Sequence, residues 1–160
     1  MSPQKKDAAH EELLSVLRTA NHRLEYLTPN DWVLIVDRAK RTAFKKGETL
    51  IHAGKQNKTV YLLVKGQARV EAATSKAFIA QLEAGEVCGE MAFLENGVAS
   101  ASVIASSDTL EVCAIEWSAL TDVFELYPHL GSRFYRSLAV NLSRRMRELL
   151  GVRQGAKASS

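Results

Sequence analysis

The chain has 160 residues, of which 46% are hydrophobic and 24% charged, and its net charge is +3. This length and composition predict one globular domain with flanking segments, and the small net charge does not by itself indicate a nucleic-acid partner. No apolar run reaches the roughly 18–20 residues that cross a bilayer, and residues 1–6 lack the apolar segment of a secretion signal. We therefore expect a cytoplasmic protein without a membrane partner.

Two helices are predicted ahead of residue 41. The first covers residues 7–26, which have an apolar side, with a break near Asn21. The second covers residues 29–40, because Thr28 has the side chain of an N-cap and Asp31 follows it at the third helical position.

From residue 41 onward the apolar pattern changes to short β-type runs separated by glycine-containing or polar turns. The runs are residues 42–44, 49–51, 60–64, 68–72, 78–82, 102–105 and 109–115. Many short strands at this spacing predict an antiparallel sandwich or barrel of the jelly-roll type. The two cysteines, Cys88 and Cys113, lie inside apolar runs and are predicted to be buried thiols.

Two more helices are predicted after the strands, at residues 116–127, which end before Pro128, and at residues 129–150. Apolar side chains in the last helix recur every three or four residues: Leu130, Phe134, Leu138, Leu142, Met146 and Leu149 or Leu150. This stripe predicts either packing against the strands or a two-stranded contact with a second copy of the chain.

The stretch from Gly85 to Ala105 contains the residues that are the main candidates for binding a ligand. It reads as a strand end, a glycine turn, one helical turn, a second glycine turn and a further strand. At the start of the helical turn, the backbone N–H groups of Met91 and Ala92 are free to donate to an anion such as a phosphate. The Glu90 carboxylate would accept hydrogen bonds from a vicinal hydroxyl such as a ribose 2′-OH, or would cap its own helical turn.

This stretch resembles the phosphate-binding cassette of cyclic nucleotide-binding domains. Residues 89–94 match the first half of the family pattern, Gly-Glu-(small or apolar)-Ala-Leu, and residues 100–103 match the second half, (Ser/Ala)-Ala-(Ser/Thr)-Val. The arginine that the family places between the halves falls on Ala99. In the family that arginine pairs with the cyclic phosphate, and such a charge-assisted contact is worth about 1.5–3 kcal/mol.

The resemblance extends over residues 27–148 and implies an α+β, mainly β fold: a jelly-roll β-roll (double-stranded β-helix) flanked by N-terminal helices and a long C-terminal helix. It divides the chain into a tail and helix at 1–26, the binding domain at 27–150 and a polar tail at 151–160. The ligand would be cAMP or cGMP, and no other cofactor is expected. The implied ligand-binding residues are Gly89, Glu90, Met91, Ala92, Ser100 and Ala101.

The resemblance also implies that the protein is a regulatory sensor that signals through its last helix, with a homodimer or a separate effector protein as partner. Basic residues line that helix, and Arg133 or Arg136 are the first candidates to replace the arginine missing at position 99. Since the chain ends at Ser160, no helix-turn-helix is expected after this helix.

Two alternatives remain. The first is a degenerate member of the fold that serves as a dimerisation or docking module with no ligand or a different one. The second is a metal enzyme of the cupin type, which needs clustered histidine and carboxylate ligands. Only His52, of four histidines, lies among the predicted strands, and no His-x-His accompanies it. We therefore expect neither a metal site nor enzymatic activity.

Overall fold

The computed structural model describes residues 11–17, residue 20 and residues 23–151. The helices are α1 (residues 11–17), α2 (Pro29–Val36), α3 (Glu90–Glu95), α4 (Trp117–Leu126) and α5 (Pro128–Leu149). The strands are β1 (Lys40–Lys45), β2 (Thr49–Ile51), β3 (Thr59–Lys65), β4 (Ala68–Ala72), β5 (Phe78–Leu82), β6 (Val87–Cys88), β7 (Ala101–Ala105) and β8 (Thr109–Glu116). Each of the seven predicted β-type runs lies within one of these strands.

The strands form two four-stranded antiparallel sheets, with the orders β1-β8-β3-β6 and β2-β7-β4-β5. In each sheet, strands distant in sequence are neighbours, as when Lys40 of β1 pairs with Ala114 of β8. This arrangement is the predicted jelly-roll, and the fold class expected from the sequence is confirmed.

Strand β3, inside the first sheet, is covered on both faces. In β3, Leu63 points into a core between the two sheets, whereas Leu62 and Val64 point into a second core shared with the helices. Successive side chains of a strand face opposite sides, so a strand covered on both sides needs apolar residues at every position. This explains why residues 60–64 form an uninterrupted apolar run.

The first predicted helix extends too far. Residues 11–17 are helical, but residues 23–26 are not, while the proposed break at Asn21 lies outside the described residues. Leu27 donates instead to Leu24 in a turn, and the backbone N–H of Tyr26 donates to the Ser137 hydroxyl of α5 at 3.0 Å. A local turn and a contact with α5 therefore take the place of the helical hydrogen bonds that the amphipathic pattern predicts.

The start of α2 was predicted correctly. The Thr28 hydroxyl accepts a hydrogen bond from the Asp31 N–H at 3.1 Å, and the Asp31 carboxylate accepts one from the Thr28 N–H at 3.0 Å. Asp31 also receives two hydrogen bonds from Arg133 of α5, at 2.7 and 2.8 Å. Burial alone would raise the pKa of Asp31, but the bonds from Arg133 and Thr28 lower it below its ordinary value. The cap thus also fastens α2 to α5.

Replacing Thr28 by alanine is expected to lower the free energy of unfolding by about 1 kcal/mol, because the Asp31 N–H loses its partner at the helix start. Urea unfolding would measure the change. Thr121→Ala is the control: Thr121 is exposed within α4 and donates only to carbonyls of its own helix, so its loss should change stability by less than about 0.5 kcal/mol. Equal values for the two variants would contradict the capping role.

The structure divides the apolar stripe of α5. Leu130, Phe134 and Leu138 are buried in the helical core, whereas Met146 is 63% and Leu149 77% exposed. The packing interpretation therefore holds for the first half of the helix, and the second half presents apolar side chains to solvent.

In the part of the chain that the structure describes, no helix has both the length and the hydrophobicity needed to cross a membrane.

Candidate functional site

Gly89 sets the geometry of the cassette. It connects β6 to α3 with a φ of +90°, and a Cβ at this position would lie 2.4 Å from the carbonyl oxygen of Thr59 in β3. Only glycine combines this backbone conformation with so close an approach to a neighbouring strand. The first hydrogen bond around α3 joins the Phe93 N–H to the Gly89 carbonyl oxygen. The N–H groups of Met91 and Ala92 precede this bond and have no intrahelical acceptor.

Glu90 is a buried carboxylate with an unused oxygen. The residue is only 6% exposed, and its Oε2 has no hydrogen-bond partner. Burial raises the pKa of Glu90, and the nearby Glu86 raises it further, against the opposing effects of its own backbone N–H and Arg145. A buried acceptor without a partner costs free energy, so a ligand hydroxyl at this point would relieve it.

The segment from Ala99 to Ala101 forms the opposite side of the site. The Ala99 carbonyl oxygen accepts from the Gly54 N–H at 2.8 Å, and the Ala99 N–H donates to Lys55, so the backbone is fixed to the loop after β2. The Ala99 side chain is buried, while Ser100 is exposed with its hydroxyl 4.0 Å from the Met91 sulfur. Ser100 is therefore available to a ligand.

One pocket brings these parts together. Its lining includes all six predicted binding residues, together with Ala99 and apolar side chains from between the sheets: Ile51, Val70, Leu82, Cys88 and Val103. Its volume is about 90 Å³, which is smaller than the roughly 300–1,000 Å³ of most ligand pockets. A ligand larger than this volume would lie partly in solvent or displace side chains at the rim, such as the exposed Met91.

The pocket also receives Arg145 from α5. Its Nη2 donates to the Glu86 carboxylate at 3.1 Å, and the other oxygen of Glu86 accepts from the Glu83 N–H at 2.8 Å. Glu86 is the more deeply buried partner, since its side chain is 3% exposed against 27% for Arg145. An ion pair thus joins the cassette to the second half of α5.

The structure places neither of the predicted substitutes for the missing arginine in the pocket. Arg133 is held by Asp31 at the start of α2, and the Arg136 guanidinium lies over the Tyr26 ring, 4.1 Å from its centre. Neither lines the pocket, whereas Arg145 does. Arg145 follows the buried Leu138 by seven residues and so lies on the same face of the helix, but this spacing alone does not show which arginine reaches the pocket.

Aromatic packing joins α3 to the last two helices. The Phe93 ring stacks on Tyr135 with 6.2 Å between ring centres, and it meets Phe134 and Trp117 edge to face at 6.2 and 5.7 Å. Such pairs add about 0.5–1.5 kcal/mol beyond the burial of their surface. Because Phe93 of α3 contacts Phe134 and Tyr135 of α5 directly, a movement of α3 would change the packing of α5.

Metal chemistry has no support within the described residues, because no three His, Cys, Asp or Glu side chains lie close enough to hold an ion. His52 is exposed. Cys88 and Cys113 are buried and free, as predicted, and burial raises the pKa of both thiols. They therefore remain protonated and serve as apolar core residues.

Comparison with known proteins agrees with this geometry. Residues 41–127 match the model of the family described as the cyclic nucleotide-binding domain. The chain is 29% identical over 141 residues to cyclic GMP-binding protein C of Dictyostelium discoideum, an alignment that covers 82% of this chain and 5% of that protein.

Solved structures are similar as well. The catabolite activator protein of Thermus thermophilus is 28% identical, with a TM-score of 0.65 over 77% of this chain and 57% of the other. A cyclic nucleotide-binding domain from Methylobacillus flagellatus has a TM-score of 0.72 over 89% and 80% of the two chains, and at 21% identity it supports the fold alone. The chain spans less than two thirds of the length of the Dictyostelium and Thermus relatives.

Proposed function

Because the chain belongs to the cyclic nucleotide-binding domain family, we propose that it is a ligand-sensing regulatory module that binds cAMP or cGMP in the pocket beside α3. The observation that carries this proposal is Glu90, a buried carboxylate that lines the pocket with one oxygen unpaired. A ribose hydroxyl is a donor of the right size and charge to satisfy it. Some relatives are named for cyclic GMP and others for cyclic AMP, and both nucleotides are therefore candidates.

The other predicted residues then have distinct roles. Gly89 lets the ligand approach the backbone closely, while the N–H groups of Met91 and Ala92 donate to the phosphate. Ser100 and Ala101 would approach the phosphate from the opposite side of the pocket. These contacts are weaker than an arginine contact, so we expect modest affinity.

Signalling would run through α5. Phe93 links the ligand-contacting helix to Tyr135 and Phe134 of α5, and Arg145 of the same helix lies in the pocket. If α5 exchanges between two arrangements, a ligand shifts their populations only when it binds one arrangement more tightly than the other. The exposed Met146 and Leu149 offer a binding surface for a second copy of the chain or for an effector protein. We propose that this partner binds differently in the two positions of α5.

A calorimetric titration with cAMP and with cGMP tests the proposal. We expect dissociation constants in the micromolar range for at least one nucleotide, and weaker binding by at least tenfold in Glu90→Gln. Ala99→Arg should tighten binding roughly ten- to a hundredfold, because it restores a charge-assisted contact with the phosphate.

Absence of binding in the parent would contradict the proposal. If Ala99→Arg then bound a nucleotide, the pocket would be intact but disabled at one position. That result would favour the alternative, a docking or dimerisation module that has lost its ligand.

A further inference from the structure

The cation available to a ligand in this pocket comes from outside the cassette. Among the described residues that line the pocket, Arg145 is the only one with a positive charge, and position 99 holds a buried alanine. Two carboxylates lie close by, Glu90 in the lining and Glu86 paired with Arg145. The attraction that an anionic ligand gains from the lining therefore depends on Arg145 turning towards it.

We propose that Arg145 binds the phosphate of the ligand in place of the missing cassette arginine, and that it leaves Glu86 to do so. The inference rests on the proposed function and adds to it the phosphate-binding residue and the means of regulation. Arg145 is 27% exposed and its long side chain is anchored at the guanidinium by one hydrogen bond to Glu86. Guanidinium groups bind phosphate oxygens as well as carboxylate oxygens through charge-assisted hydrogen bonds.

This exchange would make α5 part of the ligand site. Without ligand, the Glu86–Arg145 pair fastens the second half of α5 to the turn before β6. With ligand, the same side chain is tied to the phosphate held by α3 and the Ser100 segment. Because Arg145 has different partners in the two states, ligand binding and the position of α5 are thermodynamically linked.

The test uses the cyclic nucleotide, cAMP or cGMP, that the unchanged protein binds more tightly, titrated against three variants. Arg145→Gln should weaken binding roughly ten- to a hundredfold, since a charge-assisted phosphate contact is lost. Glu86→Gln should tighten binding at least about threefold, because Arg145 no longer has a competing carboxylate. Arg144→Gln is the matched control: it breaks a neighbouring ion pair of α5, with Glu25, away from the pocket, and should leave affinity unchanged.

The opposite changes in affinity expected for Arg145→Gln and Glu86→Gln distinguish a phosphate-binding role of Arg145 from a purely structural one. If the ion pair only held α5 in place, breaking it from either side would weaken binding alike, and that result would overturn the inference. Unchanged affinity in Arg145→Gln would overturn it too, while leaving the proposed function intact. If neither nucleotide binds the unchanged protein, the proposed function itself fails and the inference with it. Circular dichroism of each variant confirms that the compared proteins are folded.

Discussion

Replacing Gly89 by alanine is expected to lower the free energy of unfolding by about 2–5 kcal/mol. The backbone at this position has a φ of +90°, which disfavours any side chain, and the new Cβ would lie 2.4 Å from the Thr59 carbonyl oxygen. That oxygen belongs to β3 in the middle of a sheet, so it cannot move without disturbing the pairing with β8. Either β6 separates from β3 or α3 shifts, and both changes disrupt the pocket.

The control for this prediction is Gly47→Ala. Gly47 has the same φ of +90°, but a Cβ there would have no atom within 4 Å. It therefore measures the backbone strain alone, which we expect to be about 1–2 kcal/mol. Urea unfolding of both variants gives the difference due to the close approach at Gly89. Equal losses would mean that β3 yields easily to the added methyl group, contrary to the rigid contact inferred here.

Replacing Glu90 by glutamine is expected to stabilise the ligand-free protein at neutral pH by roughly 1–2 kcal/mol, and the proposed function expects the same change to weaken ligand binding. The physical reason is that Glu90 is buried with one carboxylate oxygen unpaired. A neutral amide of the same shape is less costly to bury than a carboxylate. The residue would thus be one that serves binding at the expense of stability.

The stability gained by Glu90→Gln should depend on pH and become smaller in acid. Burial raises the pKa of Glu90 above its ordinary value of 4.5, so the folded protein holds the proton more tightly than the unfolded chain. Below the pKa of Glu90 in the unfolded chain the carboxyl is neutral in both states, and folding carries no cost of burying its charge. The protein loses stability as the pH rises from that value through the pKa of Glu90 in the folded protein. The advantage of Glu90→Gln should be largest above the folded pKa and decrease as the solution is acidified.

Thermal or urea unfolding between pH 4.5 and 8 would measure this difference. Glu95→Gln provides the control, because Glu95 is an exposed carboxyl at the end of the same helix. We expect its stability to follow that of the parent at every pH. A Glu90→Gln protein less stable than the parent at pH 8 would show that the carboxylate has a stabilising partner and would remove the argument for a ligand hydroxyl.

Several features follow from local sequence alone. The period of apolar residues located seven strands, and the Thr28 and Asp31 pair located the start of α2. Gly89 and Glu90 identified the cassette because a glycine turn followed by one helical turn is a local structure, determined by residues close together in the chain. Hydrogen bonds and steric limits within a few residues are sufficient to specify such elements.

Tertiary structure alone decided which distant side chains meet. The sequence marked α5 as basic but could not rank its arginines, and packing placed Arg133 on Asp31 and Arg145 in the pocket. Tertiary packing also explains why residues 23–26 are not helical and contact α5. It leaves Met146 exposed near the C-terminal end of α5. Helical periodicity shows on which side of the helix a residue lies. The rotation and translation of the helix against the sheets depend instead on the packing of the whole core. The rotation and translation of α5 therefore determine which charged side chain reaches the pocket.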